Sequence, residues 1–159
     1  MQAWRLAFKD LLVIRLDRGE DLLRGIEQAL THERISDGAI ISACGSVLKY
    51  SIHMVDTSSF PPIDYFESKS GPYQIQALQG IVADGELHAH VILSNKYGAF
   101  GGHLEEGCEI FTGAEIAMIV IEPHILRRVP DSDFPESGIR CLASNAGTKA
   151  KNSDPSTVR

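Results

Sequence analysis

The sequence predicts an α+β fold, a mostly antiparallel β-sheet with one main α-helix packed on one face. Three observations carry this expectation. Residues 20–34 form the one segment with clear helical periodicity. From there to about residue 121 the chain is a succession of apolar or alternating runs joined by short turns. No helical pattern separates those runs, as the crossovers of a parallel sheet would require.

Two segments, around residues 4–8 and 11–16, open the chain in extended pattern and are separated by Lys9-Asp10. Asp17-Arg18-Gly19 reads as a turn. In the helix that follows, Leu22, Leu23, Ile26 and Leu30 recur at three- and four-residue steps and make one apolar stripe. Arg24, Glu27, Gln28 and Glu33 face water. Asp17, Glu20 and Asp21 stand before or within the first turn, where the helix dipole favours negative charge.

After Ser36-Asp37-Gly38 the pattern changes to strands. Residues 39–44 are a short apolar run, and residues 47–56 alternate, with Gly45-Ser46 between them. Phe60-Pro61-Pro62 interrupts, because proline lacks the amide that a ladder needs. Residues 73–83 read as a strand closed by Asp84-Gly85, a strong hairpin signal. Residues 86–94 follow, then a polar turn at Asn95-Lys96-Tyr97-Gly98. Residues 99–104 and 109–121 complete the strand-rich part, and Pro123 ends it. Past residue 130 apolar periodicity fades, and Ser, Asn, Gly, Lys and Thr dominate after Ala143, so the last stretch is expected to be disordered.

The chain has 159 residues, room for one domain with a short tail. It lacks the apolar run of about 18 residues that a membrane-spanning helix needs. Acidic residues outnumber basic ones 21 to 15, for a net charge of -6. Residues 130–159 balance Asp131, Asp133, Glu136 and Asp154 against Arg140, Lys149, Lys151 and Arg159, so the whole excess lies in residues 1–129. That distribution argues against a general polyanion binder, whose affinity comes from cations that displace counterions from phosphates. Cys44, Cys108 and Cys141 form no Cys-x-x-Cys pair, and an odd, sparse count fits a reducing compartment. The first residues show no secretory leader pattern, and the expected location is cytoplasmic.

The most informative stretch is Glu86-Leu-His-Ala-His-Val-Ile-Leu-Ser94 with Ala99-Phe-Gly-Gly-His103. Residues two apart in a strand point the same way, so His88 and His90 share one face while Leu87, Ala89, Val91 and Leu93 share the other. With Lys96 and Tyr97 at the centre of the turn, the hairpin register sets His90 directly opposite His103, and His88 reaches in diagonally. Three imidazoles then converge, a geometry that suits a divalent metal with a fourth position open to water or substrate. Zinc is the expected ion, although iron or nickel would also accept these ligands. Three neutral histidines can also hydrogen-bond across a subunit interface. Gly101-Gly102 leaves room for a bulge or for close approach by a ligand or second chain.

Other chemistry is sparse. There is no nucleophile elbow, P-loop, His-Glu-x-x-His or dinucleotide-binding glycine motif. Glu105 or Glu106 can serve as a fourth ligand or general base, against the simpler reading of an acidic turn before Gly107. Glu115 lies within an apolar strand and needs a partner if buried. His32 ends the helix, where it is solvated or interacts with the dipole, and His53 and His124 receive no role.

Together these residues resemble the plants-and-prokaryotes conserved (PPC) domain over about residues 13–122. The resemblance rests on Arg15-Leu-Asp-Arg-Gly-Glu-Asp-Leu-Leu, Ala39-Ile-Ile-Ser-Ala-Cys-Gly-Ser46 and Gly71-Pro-Tyr-Gln-Ile-Gln-Ala-Leu78. It continues in Leu87-His-Ala-His90, Gly101-Gly-His-Leu104 and Thr112-Gly-Ala-Glu-Ile116. It implies a PPC-like domain over residues 1–125, an extension over residues 126–159, a homotrimer, and a metal site at His88, His90 and His103 that binds a small ligand or partner. Two alternatives accompany it: a DNA-binding or transcription-associated module by family analogy, and a metal-dependent hydrolase or lyase. The plant proteins carry a basic minor-groove hook ahead of this domain. The present sequence has no Arg-Gly-Arg-Pro core, so that DNA contact does not transfer.

Overall fold

The structure, a computed structural model, describes residues 2–145. Its elements run β1 (Phe8–Leu16), α1 (Leu22–His32), β2 (Gly38–Val55), β3 (Asp64–Ala83), β4 (Glu86–Asn95), β5 (Gly98–Leu104), β6 (Glu109–Ile121), β7 (Leu126–Pro130) and β8 (Arg140–Ser144). The first six strands form one antiparallel sheet in the order β1-β6-β2-β3-β4-β5. This is the α+β architecture expected from the sequence.

The sheet also curls back on itself. The far half of β2 pairs with β5, Ile52 opposite Leu104 and His53 opposite His103. Strands β2, β3, β4 and β5 thereby close into a ring. Such closure needs a long strand that exchanges one neighbour for another, and β2 supplies it with 18 residues. Its first part lies against β6 and its last part against β5. The sequence reads as two strands split at Gly45-Ser46; the chain instead stays extended there and bends through register shifts around Ile40 and Val47. Likewise β3 begins at Asp64, well before the expected start at Tyr73. Between Lys49 opposite Ser70 and Val47 opposite Tyr73, two residues of β3, Gly71 and Pro72, face one of β2. The bulge accommodates the missing proline amide.

Helix α1 is capped by Asp21, whose carboxylate accepts from the Arg24 amide at 3.0 Å. Its buried face of Leu22, Gly25, Ile26 and Leu30 packs on β1 and β6. Burying each of the three large side chains contributes about 2 kcal/mol. Ala89, Val91 and Leu93 of β4 enter the same core. No described helix is long and apolar enough to cross a membrane.

Beyond Pro123 the chain forms the two-stranded β7–β8 sheet. A buried carboxylate ties it down. Asp37, 1% exposed, accepts from the amides of Ile125 and Leu126, both at 2.7 Å, and from the Asp84 amide at 3.2 Å. His124 bridges Asp37 at 2.9 Å and Asp84 at 3.3 Å. The disorder expected at the chain end concerns mainly residues 146–159, which lie outside the described residues.

Candidate metal centre

Alternation along β4 buries Ala89, Val91 and Leu93 and turns His88 and His90 outward. The β4–β5 register runs from Asn95 opposite Gly98 to His90 opposite His103, as the hairpin arithmetic predicts. The three rings gather. Centroids are 4.9 Å apart for His88 and His103, 5.3 Å for His90 and His103, and 5.4 Å for His88 and His90. One nitrogen from each lies within 4.8 Å of the others. His88 Nε2 and His90 Nε2 are 3.3 Å apart. Two nitrogens bound tetrahedrally to one zinc ion at 2.0–2.1 Å stand about 3.3–3.4 Å from each other.

Gly101 and Gly102 do different work from that expected. A Cβ at Gly101 would meet the Val91 carbonyl oxygen at 2.4 Å, and one at Gly102 would meet the His53 carbonyl oxygen at 2.5 Å. The close approach is by neighbouring strands of the same chain. The glycines let β5 wedge between β4 and β2, and His103 follows directly.

That closure brings in His53, which sequence reasoning left without a role. Its ring stacks on His103 with centroids 4.4 Å apart and planes 25° apart. His53 Nδ1 lies 2.6 Å from Glu105 Oε1, and its Nε2 lies 4.0 Å from Asp64 Oδ2. His53, His103 and Glu105 form a second group of converging donors that shares His103 with the first. The loop carrying Glu105 is pinned to the helix start: Asp21 accepts from the Gly107 amide at 2.7 Å, and Arg24 pairs with Glu106 at 2.6 Å. Of the two acids weighed from the sequence, Glu105 turns into the site and Glu106 does not. Nothing local in the sequence marked His53, because its neighbour arrives from fifty residues away.

Burial sets the protonation state. Desolvation, reinforced by the nearby His53 and His88, pushes His103 down to about 4. His88 is lowered as well, first by desolvation and then by the positive charge of Arg128. Both rings are therefore neutral near pH 7 and can offer lone pairs to a cation.

The histidines line an open cleft of about 950 Å³. Its walls include Val55 and Ile92 from the sheet and Arg128, Ile139 and Arg140 from the β7–β8 segment. Glu115 lies elsewhere, exposed on β6 opposite Arg15 and 3.9 Å from Cys44 Sγ. His32 is exposed and pairs with its neighbour Glu33 at 2.9 Å. All three cysteines are free, with Cys108 buried.

Comparison with known proteins agrees with this architecture. Residues 7–122 match the model of the Plants and Prokaryotes Conserved (PCC) domain. The metal-containing protein AF0104 from Archaeoglobus fulgidus is 26% identical with a TM-score of 0.76, covering 91% of this chain and 100% of that one. A plant- and prokaryote-conserved protein from Pyrococcus horikoshii is 27% identical with a TM-score of 0.70, covering 91% and 98%. The bifunctional protein GlmU of Synechococcus sp. strain JA-3-3Ab is 30% identical over 119 residues, 74% of this chain, but the match spans only 18% of that protein's length. By the extent of that domain match, residues 7–122, the chain belongs to the Plants and Prokaryotes Conserved domain family.

Proposed function

We propose that this PPC-domain protein holds a divalent metal ion, zinc in the first instance, on His88, His90 and His103 and presents it to a small ligand in the adjoining cleft. The observation that carries the reading is the 3.3 Å separation of His88 Nε2 and His90 Nε2, the spacing of two ligands on one tetrahedral ion, with His103 directly across the ladder. The neutral state of His88 and His103 near pH 7 supports it, because no proton has to leave the lone pairs that a metal would take. The metal-containing Archaeoglobus relative supports it by similarity. Three protein ligands leave a coordination position open, where a bound ion would supply Lewis acidity. His103 is held by its place in β5, by the His53 ring stacked on it and by the Glu105 carboxylate that fixes that ring. A homotrimer belongs to the same proposal. It rests on the family resemblance.

A hydrolase or lyase is the second reading. Its support is the His53–Glu105 pair at 2.6 Å within the site, an arrangement able to move a proton. A DNA-binding role by family analogy is disfavoured by the net charge of -6. Elemental analysis of untagged protein tests the primary reading. About one metal ion per chain is expected in the wild type and none in the His88→Ala/His103→Ala double variant. Equal metal content in the two would overturn it.

A further inference from the structure

The β7–β8 hairpin lies outside the matched family region, which ends at residue 122, yet it contributes to the wall of the histidine cleft. It brings two arginines there, and they differ. Arg140 is committed: its guanidinium pairs with Glu86 and donates to the Arg128 carbonyl at 2.9 Å. Arg128 has no ion pair among the described residues, and its Nε is buried without a hydrogen-bond partner. A buried, unsatisfied guanidinium nitrogen is costly unless something else completes it.

Its position sharpens the point. Arg128 lines the same cleft as His88, His90 and His103. Its positive charge would oppose a metal cation held on those rings. An anion placed between cation and guanidinium offsets that repulsion. The planar guanidinium fork matches the two oxygens of a carboxylate or phosphate, and the cleft has the size of a small-molecule site. Val55, Ile92 and Ile139 offer apolar wall for the remainder of such a molecule.

We infer that Arg128 is the anion-recognising residue of the cleft, and that the ligand is a small organic molecule bearing a carboxylate or phosphate directed toward the His88, His90 and His103 centre. The inference rests on the reading of that centre as a metal site and adds the ligand's chemical class.

Calorimetric titration of the full chain with benzoate and with inorganic phosphate, in both metal-free and zinc-loaded forms, tests it. At least one probe is expected to bind the wild type, more tightly with zinc. Arg128→Gln should weaken that binding about ten-fold or more, Arg128→Lys should be intermediate, and Arg127→Gln on the neighbouring exposed position should be unchanged. Thermal melting verifies that each variant is folded, and Arg128→Lys decides the matter if Arg128→Gln is not. Absence of binding by both probes, or affinity indifferent to Arg128, would overturn the inference. Binding that depends on Arg128 in a protein that takes up no zinc would sustain it while removing the metal reading.

Discussion

His53 of β2 stacks on His103 of β5, ring centroids 4.4 Å apart, where those strands close the ring of the sheet. The contact makes His53 a positioning residue for His103, itself oriented by Glu105. His53→Ala is expected to lower metal affinity about ten-fold, as loss of an outer-sphere support does, while His103→Ala should abolish it. Competition with a chromophoric chelator measures both.

The lowered proton affinity of His88 and His103 predicts an acid-sensitive metal-free protein. In the unfolded chain both rings titrate near the ordinary histidine value of about 6.5. In the folded chain His103 titrates at about 4 and His88 below its usual value. As pH falls from about 6.5 toward 4, the unfolded state takes up protons that the folded state refuses, so stability declines across that window. Urea unfolding should show wild type losing stability relative to His103→Gln as pH falls below about 6.5, with the difference between them level above pH 7.

Asp37 holds the β7–β8 segment through two 2.7 Å bonds to the amides of Ile125 and Leu126. Asp37→Ala removes a buried acceptor and leaves those amides unpaired, at a cost of about 3 kcal/mol. Hydrogen exchange should accelerate at Ile125 and Leu126 before it does in β4.

Gly102 has no room for a side chain beside the His53 carbonyl. Gly102→Ala is expected to force β5 away from β2, to destabilise by about 1–3 kcal/mol and to weaken metal binding together with it. Thermal unfolding and chelator competition on the same sample register the two losses.

The sequence made the β4–β5 half of the site legible because a two-residue turn fixes register, and register fixes which histidines meet. Strand alternation correctly separated His88 and His90 from Ala89, Val91 and Leu93. The β2 side was not legible. Gly45-Ser46 resembles a break in local pattern, whereas bulges let β2 continue and reach β5, and that long-range pairing alone delivers His53. The early part of β3, Glu67-Ser-Lys-Ser70, is too polar to announce a strand. Asp37 reads as a turn residue, and only the returning chain at Ile125 and Leu126 reveals its acceptor role.

Anomalous diffraction from crystals of untagged protein, recorded on both sides of the zinc absorption edge, probes the histidine centre most directly. One peak is expected, lying about 2.0–2.1 Å from a nitrogen of each of His88, His90 and His103. Crystals grown with stoichiometric zinc that showed the three rings hydrogen-bonded to one another, with the anomalous signal elsewhere, would contradict it.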